Sequence, residues 1–209
     1  NMLHGLVNAS ANIDMYRQQD QGTGFYVQDQ ISILDKWEIL LGGRLSKETS
    51  RNTRGCWPVC TGVPLTEYAP KADEFSPRAG LLYKISKDVS VYVSYSKSFG
   101  SGNGFSASGD PYPVQEGIQY ELGGKASLLN DRVTTSVTLF DLTLRNRLTP
   151  DPVNPLLSIA AGEVRSRGLE FDIAGQVSKH VSLVGSYTYD DAIVTKDNRT
   201  GVNTIKGKR

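Results

Sequence analysis

The sequence predicts an all-β chain: a section of an antiparallel transmembrane β-barrel containing about eight strands. Three observations point there. One unit recurs four times: an alternating apolar/polar segment, a tight polar turn, a second alternating segment, then a long Gly/Pro/Asn-rich stretch. The tight turns, at Leu34-Asp35-Lys36, Ser86-Lys87-Asp88, Leu129-Asn130-Asp131 and Ser178-Lys179-His180, all fall at one end of the segments, and the long connections, about 51–74, 101–116 and 148–161, fall at the other. Outer-membrane barrels have this asymmetry, with short periplasmic turns and long extracellular loops, whereas soluble sandwiches have evenly spaced turns. Finally, the apolar stripes run for about 9–11 residues, the length a tilted strand needs to cross the hydrocarbon layer.

Taken in order, the segments alternate as follows. Phe25, Val27, Ile31 and Ile33 share a face, with Asp29 among them. That carboxylate would be costly against lipid, so either a bulge shifts the register or a neighbouring side chain meets it. Trp37, Ile39, Leu41, Gly43 and Leu45 oppose Glu38, Leu40, Gly42, Arg44 and Ser46. Phe75, Pro77, Ala79, Leu81, Tyr83 and Ile85 oppose Ser76, Arg78, Gly80, Leu82, Lys84 and Ser86. Val89, Val91, Val93 and Tyr95 alternate with Ser90, Tyr92, Ser94 and Ser96. In 118–128, Ile118, Tyr120, Leu122, Gly124, Ala126 and Leu128 stand against Gln119, Glu121, Gly123, Lys125 and Ser127. Val133, Thr135, Val137 and Leu139 alternate with Thr134, Ser136 and Thr138. In 169–177, Leu169, Phe171, Ile173, Gly175 and Val177 oppose Glu170, Asp172, Ala174 and Gln176; Val181, Leu183, Gly185, Tyr187 and Tyr189 complete the set. Period-two alternation specifies strands with one apolar and one polar face.

Composition agrees with this. A mean hydropathy of −0.33 and 38% hydrophobic residues look soluble, but in a barrel only alternate residues meet lipid. The chain has 23 basic and 22 acidic residues, which leaves no nucleic-acid footprint. Tyr187, Tyr189, Tyr95 and Phe99 gather toward the long-loop end, and Trp37 and Tyr83 toward the short turns, as interfacial girdles would. Ordinary β-propensity is the alternative. The polar faces carry Glu38, Arg44, Arg78, Lys84, Glu121, Lys125, Glu170 and Asp172, too much charge for the filled interior of an eight-stranded barrel, which points to a slice of a wider one.

The two cysteines, in Cys56-Trp57-Pro58-Val59-Cys60, fall in the first long loop, where a disulfide is favoured in an oxidising compartment over two free thiols. Zinc is disfavoured, because His4 and His180 are the only histidines and no second Cys pair exists. Gly100-Ser101-Gly102-Asn103-Gly104 opens no helix and lacks a Lys-Ser/Thr completion, so it is expected to be a surface loop rather than a phosphate cradle. No nucleophile–base arrangement is present, and no enzyme or resident cofactor is expected. Ligand chemistry would lie in the long loops: Trp57 and Tyr68 in the first, Phe99, Phe105 and Tyr112 around the second, and Arg145 and Arg147 by the third. Aromatics with a few arginines suit bulky anionic or neutral ligands; loop packing is the plainer explanation for each.

The strand text also carries a family resemblance. Tyr26-Val27-Gln28-Asp29-Gln30 followed by Leu40-Leu41-Gly42-Gly43-Arg44 resembles one hairpin of the TonB-dependent siderophore receptors. Phe75-Ser76-Pro77-Arg78-Ala79-Gly80-Leu81 with Tyr92-Val93-Ser94-Tyr95-Ser96-Lys97-Ser98-Phe99 is similar to another. Tyr120-Glu121-Leu122-Gly123, Leu139-Phe140-Asp141 and Ser166-Arg167-Gly168-Leu169-Glu170 follow in the family's order, with Asp172 where Glu is common. The resemblance covers about residues 24–195 and implies a plugged outer-membrane barrel of about 22 strands. It implies import of ferric siderophores, the siderophore being transported ligand, with energy from TonB acting through a plug domain. Residues 1–209 would then form part of the barrel domain, without the plug and the C-terminal strands. A passive porin or structural barrel is the rival reading, and a soluble β-sandwich adhesin is a third.

Overall fold

The computed structural model describes residues 13–57, 66–68, 71–100, 106, 112–151, 154, 157–197 and 207, with backbone alone at 13–18, 50–57, 66–68 and 71–72. Among these residues nine strands form one antiparallel sheet: β1 (Ile13–Ile33), β2 (Trp37–Trp57), β3 (Thr66–Tyr68), β4 (Lys71–Lys84), β5 (Val89–Gly100), β6 (Gln115–Leu128), β7 (Val133–Pro150), β8 (Ser158–Ser178) and β9 (Val181–Lys196). They pair in chain order, β1-β2-β4-β5-β6-β7-β8-β9, and the three-residue β3 adds to β2 alone. Within this chain the sheet is open, with β1 and β9 at its edges.

All four expected tight turns are present. At the first, Leu34 and Asp35 take φ of 50° and 56° and Lys36 N donates to the Ile33 carbonyl at 3.2 Å. Two left-handed residues inside an i→i+3 bond form the hairpin turn whose twist suits antiparallel strands. Leu129, Asn130 and Asp131 are left-handed likewise. In the other two turns a serine hydroxyl accepts: Asp88 N and Val89 N reach Ser86 Oγ at 3.2 and 3.1 Å, and His180 N reaches Ser178 Oγ at 3.3 Å.

The strands outrun the alternation that revealed them. β1 and β2 pair without a break from Ile33–Trp37 to Ile13–Trp57, so Cys56 and Trp57, expected in a loop, close a strand. β7 and β8 likewise extend to Pro150 and from Ser158, which shrinks the expected 148–161 connection to 151–157. Beyond the membrane both faces of a strand are polar, so backbone pairing continues after the apolar period has ended.

One ladder row runs Ile33, Trp37, Tyr83, Val91, Gly124, Val137, Phe171, Tyr187. Every residue in it belongs to the apolar set expected to face outward, and the same holds two residues further from the short turns, along Ile31, Ile39, Leu81, Val93, Leu122, Leu139, Leu169 and Tyr189. The register therefore assembles the separate stripes into one apolar face. Measured from the first residue after each short turn (Trp37, Val89, Val133, Val181), the row lies 0, 2, 4 and 6 residues up. A stagger of one residue per strand, at about 3.4 Å per residue and 4.8 Å between strands, tilts the strands by about 35°, as a barrel wall requires.

That apolar face stands open. Leu41, Leu122 and Leu139 are about half exposed, and among the described residues Val133 is the one buried hydrophobic side chain. A sandwich would cover this face with a second sheet; among the described residues none lies over it. Apart from Asp29 on β1, outward charge begins with Lys97 and Asp141, each eight residues above its strand start, so the apolar band is about 22 Å tall along the membrane normal, close to that of outer-membrane barrels. Trp37 packs on Tyr83 at its lower margin (ring centroids 4.4 Å apart) and Tyr95 on Tyr120 at its upper margin (5.2 Å). The girdles are thus at the expected heights. Asp29 is not displaced by a bulge: it stands opposite Leu41 in an unbroken ladder, on the outward side of β1.

Candidate functional site

The opposite face is the polar one, and its side chains are tied across strands. Lys84 Nζ meets Glu38 at 2.5 Å. Glu121 accepts from Ser94 Oγ at 3.1 Å and Gln119 Nε2 at 2.7 Å. Tyr92 OH and Thr138 Oγ1 are 2.8 Å apart, and Lys125 Nζ sits 5.5 Å over the Tyr92 ring. Gly123 makes that ring position possible, since a Cβ there would fall 2.5 Å from it. This inner wall holds the charges the sequence assigned to a wide lumen, and it leads up to the long-loop end.

At that end the structure separates the residues expected to bind ligand. Phe99 lies opposite Glu116, and Glu116 opposite Arg145. All three belong to the outward set, away from the lumen. Tyr112 OH donates to the Ser158 carbonyl, tying the segment before β6 to the start of β8. Arg147, paired with Gly162, belongs to the inward set. Trp57 and Tyr68 end β2 and β3, with side chains outside the described residues, as is that of Cys56; Phe105 and Cys60 lie outside them altogether.

Other polar groups cluster on the outward face above the upper girdle. Lys97 meets Glu116 at 2.9 Å. Asp141 accepts from Arg165 at 2.5 Å and Arg167 at 3.0 Å. Glu163 gathers Arg145, Lys196 and Thr195, at 3.4, 3.1 and 2.8 Å. Burial pushes its pKa up, but the Thr195 and Lys196 hydrogen bonds and the Lys196 and Arg145 charges outweigh this and hold it below the usual range. Sequence reasoning passed over Glu163 because its partners lie on two other strands, β7 and β9, and Lys196 reaches it only through a register shift. The one available signal was Asn146 between two arginines, a residue type that tolerates left-handed backbone. Among the described residues no group of three or more His, Cys, Asp or Glu is placed to hold a metal ion.

A tilted antiparallel wall with a lipid-width apolar exterior and a charged, hydrogen-bonded interior defines an outer-membrane β-barrel. The family "TonB dependent receptor-like, beta-barrel" matches residues 4–209, and the chain belongs to it. It is 33% identical to the metal-pseudopaline receptor CntO of Pseudomonas aeruginosa over 94% of its length, covering 27% of that protein. It is also 33% identical to the ferrichrome outer membrane transporter/phage receptor of Escherichia coli K12, over 93% of its length and 25% of that protein's. The crystal structure of the siderophore receptor PiuA from Acinetobacter baumannii superposes with a TM-score of 0.77 at 20% identity, over 92% of this chain and 28% of that one, a likeness of fold. The chain thus spans about a quarter of the relatives it matches. Barrels of this family lie in the outer membrane of Gram-negative bacteria, and this sheet is part of such a wall.

Proposed function

We propose that the protein of which this wall is a part imports ferric siderophores across the outer membrane, using energy from TonB delivered through a plug domain inside the barrel. The observation that carries this reading is the match, over more than nine-tenths of the chain, to receptors named for metal-pseudopaline and for ferrichrome. The charged inner wall supports it physically, because a lumen lined by Glu38, Lys84, Glu121 and Lys125 suits a polar plug better than an apolar filling. The protein acts as a receptor and transporter rather than an enzyme, and the ferric chelate is its cargo, not a resident cofactor. The test is uptake of labelled ferric siderophore by cells expressing the full-length protein, with and without TonB. Loss of uptake without TonB is expected. Undiminished uptake would establish a passive porin instead.

A further inference from the structure

The two arginines flanking Asn146 are sent to opposite faces of the wall. Up to Leu144, opposite Val164, the β7–β8 ladder pairs one for one; the next pair is Arg147 with Gly162. Two residues of β7, Arg145 and Asn146, therefore face the single residue Glu163. Asn146 absorbs the extra length with φ of 59°, a left-handed conformation that asparagine tolerates better than most residues. One inserted residue reverses the alternation beyond it. Arg145 stays with the outward set, and Arg147 joins Val164 and Ser166 in facing the lumen.

Each part of this arrangement is held separately. Arg145 Nε lies 3.4 Å from Glu163 Oε2, and the Glu163 side chain is only 14% exposed. A second register shift, between the Glu163–Lys196 and Val164–Val194 pairs, brings Lys196 and Thr195 to the same carboxylate from the other side. Asn146 Nδ2 donates to the Val114 carbonyl at 2.9 Å, fixing the bulge against the entry to β6. Opposite Arg147, a Cβ on Gly162 would fall 2.7 Å from Thr149 Cγ2 and 3.2 Å from Arg147 Cβ, so glycine leaves the arginine its place. Arg145 spends its charge on Glu163. Arg147 is exposed and has no carboxylate partner among the described residues.

We infer that Arg147 is a specificity-determining residue that favours net-anionic ferric chelates at the mouth of the lumen, with Asn146 and Gly162 as the residues that position it. The inference rests on the siderophore reading and names the charge class of the chelate. A guanidinium presents a planar fork that matches a carboxylate bidentately, and a cation with no carboxylate partner among the described residues is open to an incoming anion. Arg145, two residues from Arg147 on the same strand but turned outward, serves as the internal control.

The test uses full-length protein in outer-membrane vesicles and two probes, a neutral ferric trihydroxamate and the same chelate with one appended carboxylate. The wild type should bind the anionic chelate about tenfold more tightly, the size of one charge-assisted contact. Arg147→Gln should abolish that preference and leave the neutral chelate's affinity unchanged, which also shows that the barrel has folded. Arg147→Lys should restore part of the preference, Gly162→Ala should weaken it, and Arg145→Gln should retain it. Retention of the preference in Arg147→Gln, or its equal loss in Arg145→Gln, would overturn the inference. So would wild-type binding of both chelates alike, with the siderophore reading left standing. Binding of neither, with no TonB-dependent uptake, would overturn both.

Discussion

Leu122 stands directly across the β6–β7 ladder from Leu139, and the two side chains, 54% and 49% exposed, share an outward face that no other described part of the chain covers. One residue away, Glu121 accepts two hydrogen bonds on the inner face. The two sides of this strand therefore meet different solvents. Leu122→Arg or Ile173→Arg should cost about 2–4 kcal/mol in folding into bilayers, and Gln119→Arg or Gln176→Arg far less. Denaturant titration of the full-length protein in lipid measures this. Equal sensitivity of the two faces would refute the membrane assignment.

Topology follows from the same stagger. The four tight turns lie on one side of the apolar band and the long connections on the other, so cysteines at positions 87 and 103 should label oppositely. An impermeant maleimide on intact cells should reach position 103 and not 87. Labelling of both would refute this topology, and labelling of 87 alone would invert it.

How much of this was legible in the sequence depended on which solvent each residue meets. Within the apolar band, lipid on one face and water on the other impose a strict period of two, and residues such as Val89, Val91 and Val93 disclosed both the strand and its facing. Above the band that contrast is gone. Ser50 and Arg51 still pair with Asp20 and Gln19, yet their text reads as loop. The ligand mouth was harder still. Arg145 and Arg147 looked equivalent because alternation places both on one face; only the bulge at Asn146 separates them, and a bulge is a property of two strands read together. Phe99 keeps its expected parity, and that parity puts it with the outward set, away from the lumen where ligand would pass.

The pairing of Cys56 with Cys60 is open to a mass measurement. Non-reduced digestion of protein exported to the outer membrane should yield one peptide cross-linked through both. With three residues between them, the loop-closure entropy removed from the unfolded chain is small, so reduction should alter the loop more than the barrel's stability. Two alkylated thiols in exported material would show that the bond is absent.

Glu163 should make the loop roots acid-sensitive. Its folded pKa lies below the ordinary value of 4.5. A depressed carboxylate contributes stability that is fully present above the unfolded pKa and is lost as pH falls through the folded one. Hydrogen exchange at the β8–β9 ends around Val164 and Val194 should therefore be flat from pH 8 to about 5, once corrected for intrinsic rates, and its protection should fall below about pH 4.5. Glu163→Gln should remove that step and lower protection at neutral pH. An unchanged acid step in Glu163→Gln would assign it to another group.

Two glycines should differ in how much a single methyl costs. At Gly123 an added Cβ meets the Tyr92 ring at 2.5 Å, a side chain that can swing away at the expense of its Thr138 contact. At Gly168 the added Cβ meets the Tyr189 carbonyl oxygen, part of the β8–β9 ladder, as well as the Phe140 ring. The ladder cannot yield without breaking strand pairing, whereas a ring needs only a new rotamer. Gly168→Ala should thus be the more damaging, at or beyond the upper end of the about 1–3 kcal/mol typical of overpacking, and Gly123→Ala should lie toward the lower end. Heat-modifiable gel mobility of the full-length barrel ranks them, and a Gly123→Ala variant less stable than Gly168→Ala would show that the inner-face ring, not the ladder, is the rigid element.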